Sequence, residues 1–159
     1  MHRFTVLTIC LLLALTLVGC DVETEEAAEP SRVVELDADG VVEDDVLRVE
    51  GTATVPDGAL ITYEVGDPSD VLADDEMAFA AGNAAVTDES FAFEVPVEGW
   101  PRGRVNVWVA FQTVVGLDEQ PAEVIELYGE LGEHMEGDDV IEPDFATLRR
   151  VEVEFTVPR

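Results

Sequence analysis

Leu47-Arg48-Val49-Glu50-Gly51-Thr52-Ala53-Thr54-Val55-Pro56-Asp57-Gly58-Ala59-Leu60-Ile61-Thr62-Tyr63-Glu64-Val65 is the stretch that decides how this chain folds. Apolar or small side chains at 47, 49, 51, 53 and 55 alternate with Arg48, Glu50, Thr52 and Thr54. A period of two is the mark of a strand with one face buried and one wet. Pro56-Asp57-Gly58 then interrupts the pattern with residues suited to a tight turn. The alternation resumes with Ile61, Tyr63 and Val65 on one face. The stretch reads as two strands, and the expectation is a hairpin across Pro56-Asp57-Gly58.

The same period recurs towards the C-terminus. Phe91, Phe93, Val95 and Val97 form one apolar face, and Pro96 marks the end or the edge of that strand. Val105, Val107, Val109 and Phe111 form another. Trp108 makes this segment apolar on both sides, so it is expected to be a central strand. Val151, Val153, Phe155 and Val157 form a last strand before Pro158. Met77 to Val86 is small and apolar and reads as a further strand. On the N-terminal side, Val33-Val34-Glu35-Leu36 is a short candidate edge strand and Asp37-Ala38-Asp39-Gly40 a turn signal. Gly66 to Glu76 is a polar loop. Residues 116–139 break the pattern. There Gln120-Pro121 can open a helix over Ala122 to Tyr128, which Gly129 would stop.

About seven short strands separated by regular turns predict an all-β, antiparallel domain over residues 32–159. The pattern resembles an immunoglobulin-like or fibronectin-like β-sandwich. Fibronectin-like is the better description, because Cys10 and Cys20 lie ahead of the domain and leave it no disulfide.

The N-terminus carries a different message. Arg3 is followed by fifteen uncharged residues, Phe4 to Val18, and then Gly19-Cys20. A spanning helix needs about 20 apolar residues, whereas a run of this length suits the core of a signal peptide. Leu17-Val18-Gly19-Cys20 resembles the lipobox of bacterial lipoproteins. That resemblance implies cleavage after residue 19 and a diacylglycerol on the Cys20 thiol, with palmitate-type acyl chains in the membrane. One acyl chain holds a protein only marginally, and two hold it stably. The expected organisation is a signal peptide over 1–19, a lipidated Cys20 with an acidic tether over 20–31, and the β-domain. Asp-Val-Glu-Thr-Glu-Glu-Ala-Ala-Glu-Pro-Ser, 21–31, has too little apolar content to fold by itself. In some Gram-negative bacteria, lipoproteins with an aspartate after the cysteine resemble a class retained on the inner membrane, and Asp21 stands at that position. The expected location is the extracytoplasmic face of a cell membrane.

Charge narrows the partners. The chain has 36 acidic residues against 8 basic ones, all arginine, for a formal net charge of −28. Loss of Arg3 would take the secreted form to about −29. Nucleic acid is excluded as a partner, since phosphate binding needs a basic footprint. The body is also repelled by anionic headgroups, so the lipid would have to do the anchoring. Two explanations compete for this charge, and solvation of the surface, in a medium whose salt screens the repulsion, is favoured over divalent-cation binding.

The chemistry-bearing residues are few. Beyond Cys20 the chain has one histidine, His134, three serines, Ser31, Ser69 and Ser90, and no lysine. No serine sits in a Gly-x-Ser-x-Gly elbow, and the phosphate-loop lysine is absent. Structural zinc lacks its ligand set. Paired carboxylates are common enough for a glycosidase, but the aromatic platform for a sugar is thin. The reading is therefore of a non-enzymatic protein with no catalytic residues and no resident cofactor. Calcium is the alternative cofactor, and would make this a stabilised adhesion or scaffolding domain. Asp37, Asp39, Glu43, Asp44 and Asp45 crowd one segment, and Asp67, Asp70, Asp74, Asp75 and Glu76 another. The first resembles the start of an EF-hand loop, but it lacks the third ligand before glycine and the closing glutamate. A small hydrolase is the third alternative. The favoured expectation is an anchored binding or accessory module for an unknown protein or peptide. The segment 116–139, with Tyr128, His134 and Met135, is its candidate recognition region; a plain crossover packing Ile125 and Leu127 onto the sheet is the simpler reading of the same residues.

Overall fold

A computed structural model describes residues 32–66, 78–116, 118–142 and 148–159. The segment 1–19 expected to be a signal peptide, Cys20, the segment 20–31 expected to be a tether and the acidic cluster at 67–76 lie outside the described residues. The elements run β1 (Leu36–Glu43), β2 (Val46–Ala53), β3 (Leu60–Gly66), β4 (Phe79–Ala85), β5 (Ser90–Pro96), β6 (Arg104–Gln112), β7 (Val114–Val115), β8 (Asp118–Glu119), α1 (Ala122–Tyr128) and β9 (Arg150–Pro158). One sheet has the order β1-β2-β5 and the other β4-β3-β6-β9, with β7-β8 a separate small ribbon. Every ladder between these strands is antiparallel.

Alternation along each strand builds the core. Leu47, Val49 and Ala53 of β2 and Phe91, Phe93 and Val95 of β5 turn one way. Ile61 and Val65 of β3 and Val105, Val107, Val109 and Phe111 of β6 turn to meet them. Each Val, Leu, Ile or Phe among them contributes roughly 1.5–3 kcal/mol when buried. Tyr63 of β3 stacks on Phe93 of β5 with ring centroids 3.8 Å apart, tying one sheet to the other. Gly82 lies opposite Tyr63 in the β3–β4 register, and a Cβ there would come within 2.5 Å of the phenol oxygen. Glycine is the residue that lets this ring lie down. Gly51 does the same for Phe91, its partner on β5.

The expected central strand is observed: β6 pairs with β3 on one side and β9 on the other. The short helix also falls where Pro121 and Gly129 bracket it, with Gly129 at φ 88°. Two local expectations are corrected. The segment over Pro56-Asp57-Gly58 is not a hairpin, because β2 and β3 pair in different sheets. It carries the chain from one sheet to the other, fastened by hydrogen bonds from Gly58 N–H to the Val86 carbonyl (2.8 Å) and from Val86 N–H to the Ala59 carbonyl (2.9 Å). Asp37-Ala38-Asp39-Gly40 is not a turn but the first half of β1. Leu36, Ala38, Gly40 and Val42 keep a period of two, and pairing with β2 overrides the turn preference of aspartate and glycine. The turn comes later, at Asp44 and Asp45, both with positive φ (53° and 59°), as a two-residue hairpin requires.

Candidate functional site

The acidic segment proposed for calcium forms an exposed face and a turn. Asp37, Asp39 and Glu43 point outward from β1, and Asp44 and Asp45 make the hairpin. Asp39 stands directly opposite Glu50 on β2. Nearby, Arg48 spans two carboxylates, Glu94 at 2.9 Å and Glu43 at 3.5 Å. Asp45 is held elsewhere: its Oδ1 accepts a hydrogen bond from Arg159 Nη2 at 2.8 Å. Arg159 Nη1 also donates to the carbonyls of Trp100 and Pro101, so one guanidinium joins the β1–β2 turn to the segment before β6. Among the described residues no three His, Cys, Asp or Glu side chains gather as a metal centre would require.

The candidate recognition segment divides between core and surface. Val124 and Tyr128 lie one helical turn apart on the inner face of α1, and both are fully buried. Tyr128 meets Phe111 edge-on, with centroids 5.1 Å apart. Burial pushes its hydroxyl up to about 12. Among the described residues that hydroxyl has no hydrogen-bond partner. Met135 is also in the core, at 3% exposure. Of Tyr128, His134 and Met135, only His134 is at the surface. The helix packs through Val124 and Tyr128 rather than the expected Ile125 and Leu127, although Leu127 is partly buried against the same core. Beyond it, Glu133 folds its carboxylate back over Gly129 and accepts the Leu131 N–H at 2.9 Å. Hydrogen bonds from main-chain N–H groups, its own first and then that of Leu131, hold this carboxyl below the usual range.

Gln120 is the residue that sequence reasoning passed over. It is 6% exposed. Its Oε1 accepts the Leu60 N–H, and its Nε2 donates to the carbonyls of Leu60 and Gln112, each at 2.8 Å. The side-chain amide thus acts as an extra peptide unit where β3 begins and β6 ends. On the outer face of the same sheet, Asn83 of β4 donates to Asp118 Oδ2 at 2.6 Å. A groove of about 560 Å³ lies between the β7–β8 ribbon and α1, with Val114, Val115, Asp118 and Ile125 in its walls.

Ser90 and His134 belong to different parts of the fold. Ser90 begins β5 and donates its hydroxyl to the Asp88 carbonyl. His134 follows α1, its main-chain N–H bonded to the Tyr128 carbonyl at 2.9 Å. Ser31 and Ser69 lie outside the described residues. No family model, curated protein or solved structure matches this chain.

Proposed function

We propose that the protein is a bacterial lipoprotein whose β-domain is held on the extracytoplasmic face of a membrane and works there as a non-enzymatic binding or accessory module. The lipobox-like Leu17-Val18-Gly19-Cys20 supports the anchor, with Cys20 as the lipidated residue. Among the described residues no helix is long and apolar enough to cross a membrane.

The observation that carries the module reading is the strand order. A β1-β2-β5 sheet sharing its core with a β4-β3-β6-β9 sheet supports reading the seven long strands as A, B and E against C′, C, F and G of an immunoglobulin-type sandwich. With no disulfide to staple it, the fibronectin-like form is the fitting one. Such domains present loops and strand edges to partners. A dense outward array of carboxylates keeps the rest of the surface solvated.

Growth of the native host with radiolabelled palmitate tests the anchor. Label is expected in the protein and lost in Cys20→Ser, while unlabelled wild-type protein in the soluble fraction would defeat the reading. Crosslinking in native membranes tests the module, and a protein or peptide partner caught on the β-domain is the result expected.

A further inference from the structure

The two sheets end in four edge strands, and three of them are guarded. β1 shows Asp37, Asp39 and Glu43 to solvent. β5 carries Glu94 and ends on Pro96. β9 carries Arg150, Glu152 and Glu154 and ends on Pro158. Charges and prolines of this kind are what stop an edge from pairing with another chain. β4 has neither: from Met77 to Thr87 the sequence holds no charged residue and no proline, in a chain that is 28% charged. No other described strand pairs with its outer side. Phe79 on this strand is 51% exposed, the most exposed large apolar side chain among the described residues.

The surroundings of this bare edge are not neutral. Glu64 of β3 stands exposed directly opposite Ala81. Asp118 is bonded to Asn83. Past the strand's end Asp57 accepts the Asp88 N–H at 2.9 Å, and Glu89 is exposed beside it. There the surface opens into a groove of about 630 Å³, with Ala85 and Thr87 on one wall and Glu50 on another.

We propose that β4 takes an extended, basic segment of a partner protein as an added strand, continuing into the groove beside Ala85. Main-chain pairing along Phe79–Ala85 supplies the affinity, and alternate Arg or Lys side chains meet the flanking carboxylates. A second copy of this chain is a poor occupant. It would bring a like charge of −28 and its own Glu64 and Asp118 to the same edge. The proposal deepens the binding-module reading and rests on it.

The test is amide hydrogen exchange on the full chain with a short capped peptide alternating arginine and valine. A control peptide has proline in place of the central valine. The alternating peptide is expected to slow exchange within Phe79–Ala85 and not in β1 or β5, and the proline peptide is expected to fail. Glu64→Gln should weaken the binding about threefold, the effect of one exposed charge pair, and Glu126→Gln on α1 should not. Equal binding of both peptides, or protection spread over the acidic face of β1, would mean charge alone and overturns the proposal. So would a concentration-dependent dimer that protects β4 without peptide. Lipid on Cys20 with no β4 protection removes the edge assignment and leaves the anchored module. Protection at β4 in a chain that is never lipidated does the reverse.

Discussion

Replacing Gln120 by leucine removes three hydrogen bonds with one side chain of similar size. The groups left behind are the Leu60 N–H, the Leu60 carbonyl and the Gln112 carbonyl. An unsatisfied buried group costs about 1–3 kcal/mol. Leu60 is only half-buried, so water relieves part of this, and the lower end of the range applies to each group. The total is about 3 kcal/mol, a large share of the ~5–15 kcal/mol by which a domain is stable. For a domain of this size that corresponds to a fall in Tm of roughly 12 °C, at about 4 °C per kcal/mol. Gln120→Glu should be at least as damaging at neutral pH, because it turns a carboxylate towards the two carbonyls that Nε2 now serves. Thermal and urea unfolding of the two variants measure the cost, and hydrogen exchange at Leu60 N–H locates it. A leucine variant within about 0.5 kcal/mol of wild type would refute the view that this amide serves as a missing piece of the β3–β6 ladder.

Tyr128→Phe should leave stability unchanged or raise it by up to about 1 kcal/mol, since it deletes a buried hydroxyl that has no described partner. The same tyrosine titrates at about 12 in the fold against an ordinary 10. The fold resists forming the phenolate, so stability is untouched below pH 10 and falls as pH rises towards 12, and Tyr128→Phe should flatten that alkaline limb in a pH series of melts. Asp39→Thr relieves the directly opposed Asp39–Glu50 pair and should stabilise by roughly 0.2–1 kcal/mol in low salt. The gain should shrink at ~1 M NaCl, where the screening length is about 3 Å, and urea titrations at both salts read it. Glu133, whose carboxyl is held below the usual range, favours the folded loop above the ordinary carboxylate pKa. That preference fades as pH falls through its lowered value. An NMR titration of its side chain should show the low midpoint, and an ordinary midpoint would remove the role given to the Leu131 N–H.

Most of the sheet was legible because burial on one face writes a period of two into the sequence. Leu47 to Val55, Phe91 to Val97, Val105 to Phe111 and Val151 to Val157 carry it plainly, and they form β2, β5, β6 and β9. Pairing was less legible than existence. Pro56-Asp57-Gly58 announces a reversal, but the same residues serve a hairpin or a crossing between sheets. Only the partners of Leu47 (Val95) and Ile61 (Phe111) decide between them. At Asp37–Gly40 the local preference for a turn hid a valid alternation through Leu36, Ala38, Gly40 and Val42. In the candidate site, Tyr128 and Met135 looked available because the glycines around them suggest an open loop. The i, i+4 pair Val124 and Tyr128 was the signal that this segment docks inward. Gln120 gave almost no signal, since a buried glutamine reads like any polar residue until its three partners are seen.

Intact-mass measurement of the protein extracted from native membranes tests the account at its centre. A chain beginning at Cys20 with a diacylglyceryl group on its thiol is the species expected, with that mass absent in Cys20→Ser. An unmodified protein that still carries residues 1–19 would contradict it.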